Sequence, residues 1–80
     1  MLDRKHTTLA RMQGGQSGVV VQIQGGRSLL NRLNALGIIP GKKITKISSM
    51  LMRGPVTIEV DRVEVAIGFG MANKVIVKPD

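Results

Sequence analysis

Apolar residues change their spacing several times along this chain, and each change marks a predicted element. Leu9 and Met12 precede Gly14-Gly15-Gln16-Ser17-Gly18, whose glycines mark a turn. Val19-Val20-Val21-Gln22-Ile23 then reads as a strand of β-branched residues, with Val19, Val21 and Ile23 on one face. Gly25-Gly26 ends that strand and the period becomes helical, because Leu29, Leu30, Leu33 and Leu36 recur through residues 27–36 at the spacing of one helix face. Gly37 stands where helices end in a left-handed cap, and Ile38 supplies the apolar contact that accompanies one. Pro40-Gly41 predicts a type II turn, since proline pre-sets the first central residue and glycine accepts the positive φ of the second.

Beyond that turn the pattern is β. Ile44 and Ile47 sit three apart, so 42–52 is not a clean alternating strand and predicts a bulge or bend. Gly54-Pro55 punctuates the chain, after which Val56, Ile58 and Val60 alternate with Thr57 and Glu59 as in a half-buried antiparallel strand. Asp61-Arg62 is the predicted hairpin turn, although neither residue is the glycine that two-residue turns prefer. Val63, Val65 and Ile67 continue the ladder and Gly68-Phe69-Gly70 breaks it. Residues 71–74 predict one helical turn, and Val75-Ile76-Val77 a last strand before Pro79 stops the pairing. The N-terminal residues 1–7 carry charge without apolar periodicity and read as a flexible tail, leaving one domain over 8–78. About five short strands, with one short α-helix after the first of them, predict a mainly β fold, a small barrel.

Composition narrows what such a domain does. At 80 residues there is room for one core and little apolar material left to shape a deep substrate pocket. The absence of cysteine excludes disulfides, thiolate zinc sites, iron–sulfur clusters and a cysteine nucleophile. No signal-peptide pattern or membrane-spanning run is present, which predicts a cytoplasmic location. Twelve Lys and Arg against five Asp and Glu give a formal charge of +7, which favours acidic proteins, nucleic acid or anionic lipid as partners. With Phe69 the sole aromatic residue, however, the chain lacks the stacking platform of single-strand binders and the aromatic groove that grips proline-rich peptides.

Catalytic inventory is poor. Asp3, His6, Glu59, Asp61, Glu64 and scattered serines are the candidates; His6 falls in the tail, no serine sits in a Gly-x-Ser-x-Gly elbow, and Glu59 and Glu64 flank a hairpin on its solvent side. The chain therefore reads as a non-enzyme, with no catalytic, cofactor-binding or metal-ligating residue assigned. Gly25-Gly26-Arg27-Ser28 precedes a helix but lacks the Gly-Lys-Ser/Thr ending of a phosphate loop, so it reads as a strand-to-helix turn. Met50 and Met52 flank Leu51, and with Met71 they serve either as core fillers or as an adaptable apolar patch.

Three segments taken together resemble the FeoA family: Gly25-Gly26-Arg27 leading into Leu30-Asn31-Arg32-Leu33, then Leu36-Gly37-Ile38-Ile39-Pro40-Gly41, then Gly54-Pro55-Val56 with Ala66-Ile67-Gly68. The Leu-Gly-Ile-x-Pro-Gly segment is the most specific, since it joins a helix cap to a turn at fixed distance. The resemblance implies an SH3-like barrel, related to the C-terminal domain of DtxR-type metal-dependent repressors. It further implies a cytoplasmic accessory role in ferrous iron uptake, binding and modulating the cytoplasmic part of a FeoB transporter. Iron association is expected to be weak or indirect, and the membrane to be reached only through the transporter. Arg27 and Arg32 on the helix, with Met52 and Arg53 on the loop ending at Gly54, are the predicted partner-binding residues; Lys42, Lys43 and Lys46 are expected to extend a basic surface around them. The competing readings are an SH3-like nucleic-acid-binding module and an accessory domain of a metal-dependent regulator, although the latter's helix-turn-helix is missing.

Overall fold

The computed structural model describes residues 5–49 and 54–80. Its elements are β1 (Thr7–Thr8), β2 (Ser17–Ile23), α1 (Arg27–Ala35), β3 (Lys43–Ser49), β4 (Val56–Val60), β5 (Val63–Ile67), α2 (Phe69–Ala72) and β6 (Val75–Pro79). All pairings are antiparallel, and the six strands form one sheet in the order β1-β6-β2-β3-β4-β5. Overall dimensions of 28 × 26 × 25 Å require that sheet to curl strongly upon itself. Its outer strands, β1 and β5, are not paired with each other, so the expected closed barrel is here an open six-stranded sheet. A two-residue strand supplies too few ladder groups to bond a neighbour on each side. The helix placement also differs from expectation, since α1 follows the second strand and the second helix starts at Phe69, two residues ahead of the predicted helical turn.

The segment around α1 folds as its residues dictate. Gly37 adopts φ 88°. Its N–H donates to the Asn34 carbonyl and that of Ile38 to the Leu33 carbonyl, the paired bonds of a Schellman cap. Leu33 and Ile38 are both fully buried, completing the apolar contact of that cap. Gly41 has φ 92° and the Lys42 N–H donates to the Ile39 carbonyl, which is the type II turn expected of Pro40-Gly41. The Asp61-Arg62 turn closes the β4–β5 hairpin with both residues at positive φ.

Two strands depart from simple alternation. In β2 the register against β6 shifts between Val20 and Gln22, so Val21 is an extra residue. Gly18, Val20 and Ile23 therefore point inward, whereas Val19 is half-buried and Val21 exposed; the expected Val19–Val21–Ile23 face is corrected by this bulge. A second register shift lies between Lys46 and Ser48 in β3, at the irregularity that the Ile44–Ile47 spacing predicts. Ile44 and Lys46 face inward and Ile47 outward. Pro79 does not end the pairing early, since it is the last residue of β6 opposite Gly18; a proline at a strand end forfeits only a donor.

The core collects Leu9 and Met12 from the first loop, Leu33 from α1, Ile38, and the inward residues of β2 to β6. Lys46 is the exception among them, 1% exposed, with its Nζ donating to the main-chain carbonyls of Ala10 and Met12. Burial lowers its pKa. The amine thus replaces water for two loop carbonyls and fixes the 10–12 segment across the end of the core.

Candidate docking groove

The last turn of α1 lies across a groove from the end of β5, because the leucine stripe that buries Leu33 and half-buries Leu29 and Leu30 presses one side of the helix on the core. The other side is left facing the β5–α2 corner. Between them lies an open groove of about 490 Å³. Arg32, Ala35 and Leu36 form its helix wall; Ala66, Ile67 and Gly68 form the strand wall; Met71 of α2 closes one side. The lining is apolar apart from Arg32. Gly68 precedes α2 with extended backbone (φ −65°, ψ 153°), so the chain turns from strand to helix with no side chain filling the corner.

Arg32 occupies the last turn of α1, where a cation is favoured by the helix dipole. Among the described residues no ion pair involves it. Leu36, the C-cap, is 38% exposed and forms an apolar shoulder beside it. The site can therefore receive an apolar side chain and an adjacent carboxylate. The most conspicuous acidic pair, Glu59 and Glu64, lies directly opposite across the β4–β5 ladder on the solvent face and not in this groove.

The residues expected at a partner surface are separated by the fold. Arg27 opens α1, exposed and away from the groove, and five residues at ~100° each place it about 140° round the helix from Arg32. Met52 and Arg53 lie outside the described residues, as does Met50. Of the expected lysine extension only Lys46 is corrected, because it is buried; Lys42 and Lys43 stay at the surface, paired with Asp61 at 3.0 Å and Asp80 at 3.2 Å. Of the three methionines singled out, Met71 lines the groove. Ala35, Ala66, Ile67 and Gly68 carry no chemical signal in the sequence; only their shared lining of the groove makes them part of a candidate site. Among the described residues no group of three His, Asp or Glu is placed to hold a metal ion, and no helix is long and apolar enough to cross a membrane.

Comparison with known proteins agrees with this architecture. The FeoA domain family model matches residues 7–79. A Campylobacter jejuni protein described as a putative Fe(2+) transport protein A is 33% identical over 54 residues, which is 68% of this chain and 73% of that protein. The crystal structure of an iron uptake regulatory protein, FeoA, superposes with a TM-score of 0.86 at 37% identity and covers 94% of this chain and 97% of that one. A manganese-dependent transcriptional repressor shares the fold with a TM-score of 0.89 at 18% identity; 98% of this chain is covered, but only 43% of the repressor. The small SH3-like sheet described above is thus common to both kinds of protein, and on the match over 7–79 this chain belongs to the FeoA domain family.

Proposed function

We propose that this protein is a cytoplasmic accessory factor of ferrous iron uptake that docks through the α1–β5–α2 groove onto the cytoplasmic region of a FeoB-type transporter and modulates it. It acts by binding, without catalysing a reaction and without a resident cofactor; Fe(II) is the cargo of its partner. The observation that carries the docking step is the open apolar groove with a lone, unpaired arginine among its described residues. Family membership and the name of the Campylobacter relative support the iron-transport setting. A formal charge of +7 suits an acidic partner surface.

Titration calorimetry against a purified FeoB cytoplasmic region tests this. Replacing Arg27 and Arg32 together by Glu, with the fold verified by circular dichroism, is expected to weaken binding about tenfold or more. Arg32→Glu alone should account for most of that loss, given the separation of the two side chains. Equal affinity of the wild type and the double variant would remove the groove from the interface. Tighter binding to duplex DNA than to the transporter region, with steep salt dependence, would favour the nucleic-acid reading instead.

A further inference from the structure

We propose that the free edge of β5 is a strand-addition site, which takes an extended segment of a partner protein with apolar and acidic residues on its groove-side face. This deepens, and rests on, the docking reading of the groove. The hairpin register sets the geometry. Val60 and Val63 flank a two-residue turn, so they exchange both of their main-chain hydrogen bonds, and the ladder alternates from there. Ile58–Val65 and Val56–Ile67 are bonded pairs in that alternation, whereas Glu64 and Ala66 direct N–H and C=O away from β4. Among the described residues no strand pairs with that edge and no main-chain bond outside the ladders reaches Glu64 or Ala66. Both residues are exposed. The edge carries neither proline nor lysine, two of the usual devices that block a neighbour.

The side chains specify what the added strand must look like. Val63, Val65 and Ile67 share the core-side face with Val60, Ile58 and Val56, yet exposure climbs from 4% at Ile67 to 58% at Val63. Apolar groups on the same face of an added strand would cover that slope and continue into the groove. Arg32 lines the groove beside Ala66 and Ile67, so a carboxylate on this face finds a cation. On the opposite face Glu64 already stands against Glu59, a like-charge pair that repels another acid and favours a base or a hydroxyl. The motif is therefore alternating, with apolar and acidic residues toward the groove and neutral or basic ones toward Glu64. A second copy of this chain is a poor occupant, because two molecules of charge +7 repel and β5 offers no acid toward Arg32.

The test uses the intact, isotope-labelled protein and a capped nine-residue peptide alternating valine with threonine, with one glutamate on the valine face and one lysine on the threonine face. At saturation, exchange of the Glu64 and Ala66 amides is expected to slow by about tenfold or more, while those of Val65 and Ile67, already bonded to β4, stay unchanged. Ala66→Pro removes only the outward donor and should abolish binding with the fold retained. Arg32→Glu should weaken the peptide about tenfold. A peptide of equal composition with its two charges exchanged between faces should bind at least about fivefold more weakly. Failure to protect either amide at millimolar peptide, equal binding of the exchanged peptide, or protection of both amides by self-association without peptide would each overturn the proposal. The FeoB cytoplasmic region forms a separate arm. Peptide protection with no transporter binding removes the transporter reading and leaves strand addition standing, whereas transporter binding without protection of Glu64 and Ala66 does the reverse.

Discussion

β5 and β6 are both five residues long and both begin with valine, yet they occupy opposite situations. β6 lies between β1 and β2, and its Val75, Ile76 and Val77 are buried in succession, Ile76 on the face away from the other two. β5 pairs with β4 alone, and its apolar residues run from buried Ile67 to exposed Val63. A fully buried valine contributes about 1.5–3 kcal/mol over an exposed one, so the same residue type secures the fold in β6 and remains unspent in β5. The difference teaches a division of labour between a strand covered on both edges and one at the end of the sheet: β6 is buried along its whole apolar run, whereas β5, anchored at Ile67 and paired only with β4, keeps apolar surface and hydrogen-bonding groups available. Substitutions on the two sides should then differ in kind.

The largest effect is expected at Gly18, which β2 places directly against the end of β6. A Cβ there would lie 2.6 Å from Val77 Cγ1, 2.8 Å from the Lys78 carbonyl oxygen and 3.1 Å from Pro79 Cα. Two of these three atoms are main chain and cannot swing aside. Gly18→Ala should cost about 3 kcal/mol in urea unfolding, by overpacking. A loss under about 1 kcal/mol would show that the β2–β6 half is not the rigid one.

Lys46 comes next. Lys46→Met keeps most of the side-chain volume but leaves the Ala10 and Met12 carbonyls without that donor, for an expected loss of about 2 kcal/mol near neutral pH. The variant also has a pH signature. Because burial lowers the folded pKa of Lys46 below 10.5, the unfolded chain binds more protons between the folded value and 10.5, and the contribution of Lys46 to stability rises with pH across that window. The neutral amine still has two N–H groups for its two carbonyls. Wild type should therefore gain on Lys46→Met as the pH rises toward 10.5 in parallel urea titrations; a constant gap would mean that the amine is not desolvated.

The smallest effect is expected on the β5 side, and its sign is reversed. Asp61 and Arg62 sit at φ 52° and 67°, a region that costs a residue with a Cβ roughly 1 kcal/mol. Arg62→Gly should stabilise the protein by about 0.5 kcal/mol after glycine's greater unfolded-state freedom is deducted, while Asp61 keeps its pairing with Lys42. Thermal melts would show this, and a destabilised variant would imply that the Arg62 side chain holds the hairpin in place.

Where each element was legible follows from how local its cause is. The α1 cap, the type II turn, β4 and the hairpin turn each depend on residues within a few positions of one another, and Gly37-Ile38, Pro40-Gly41 and Val56–Val60 announce them. The bulge at Val21 does not show in a run of three valines, since every face of such a run is apolar. Lys46 is misread for the complementary reason: its charge predicts solvent, and only the 10–12 carbonyls, over thirty positions away, explain its burial. β1 is too short to have a period. At the groove Arg32 is legible because an arginine on a leucine-rich helix stands out, whereas Ala35 beside it and Ala66 and Gly68 across from it join the candidate site only through the fold.

The antiparallel pairing of β2 with β6 joins opposite ends of the sequence, Val20 to Val77, while β4 and β5 are joined by Asp61 and Arg62 alone. Closing so long a loop is entropically slow and closing so short a one is fast. The order of assembly is therefore opposite to the order of strength: the β3-β4-β5 meander can form early from neighbours, and the segment that contributes most to the finished molecule arrives last. Changes at Gly18 should then act on the unfolding rate and changes at the Arg62 turn on the folding rate, so the exposed edge of β5 exists, and must be kept from mispairing, before the core that supports it is complete.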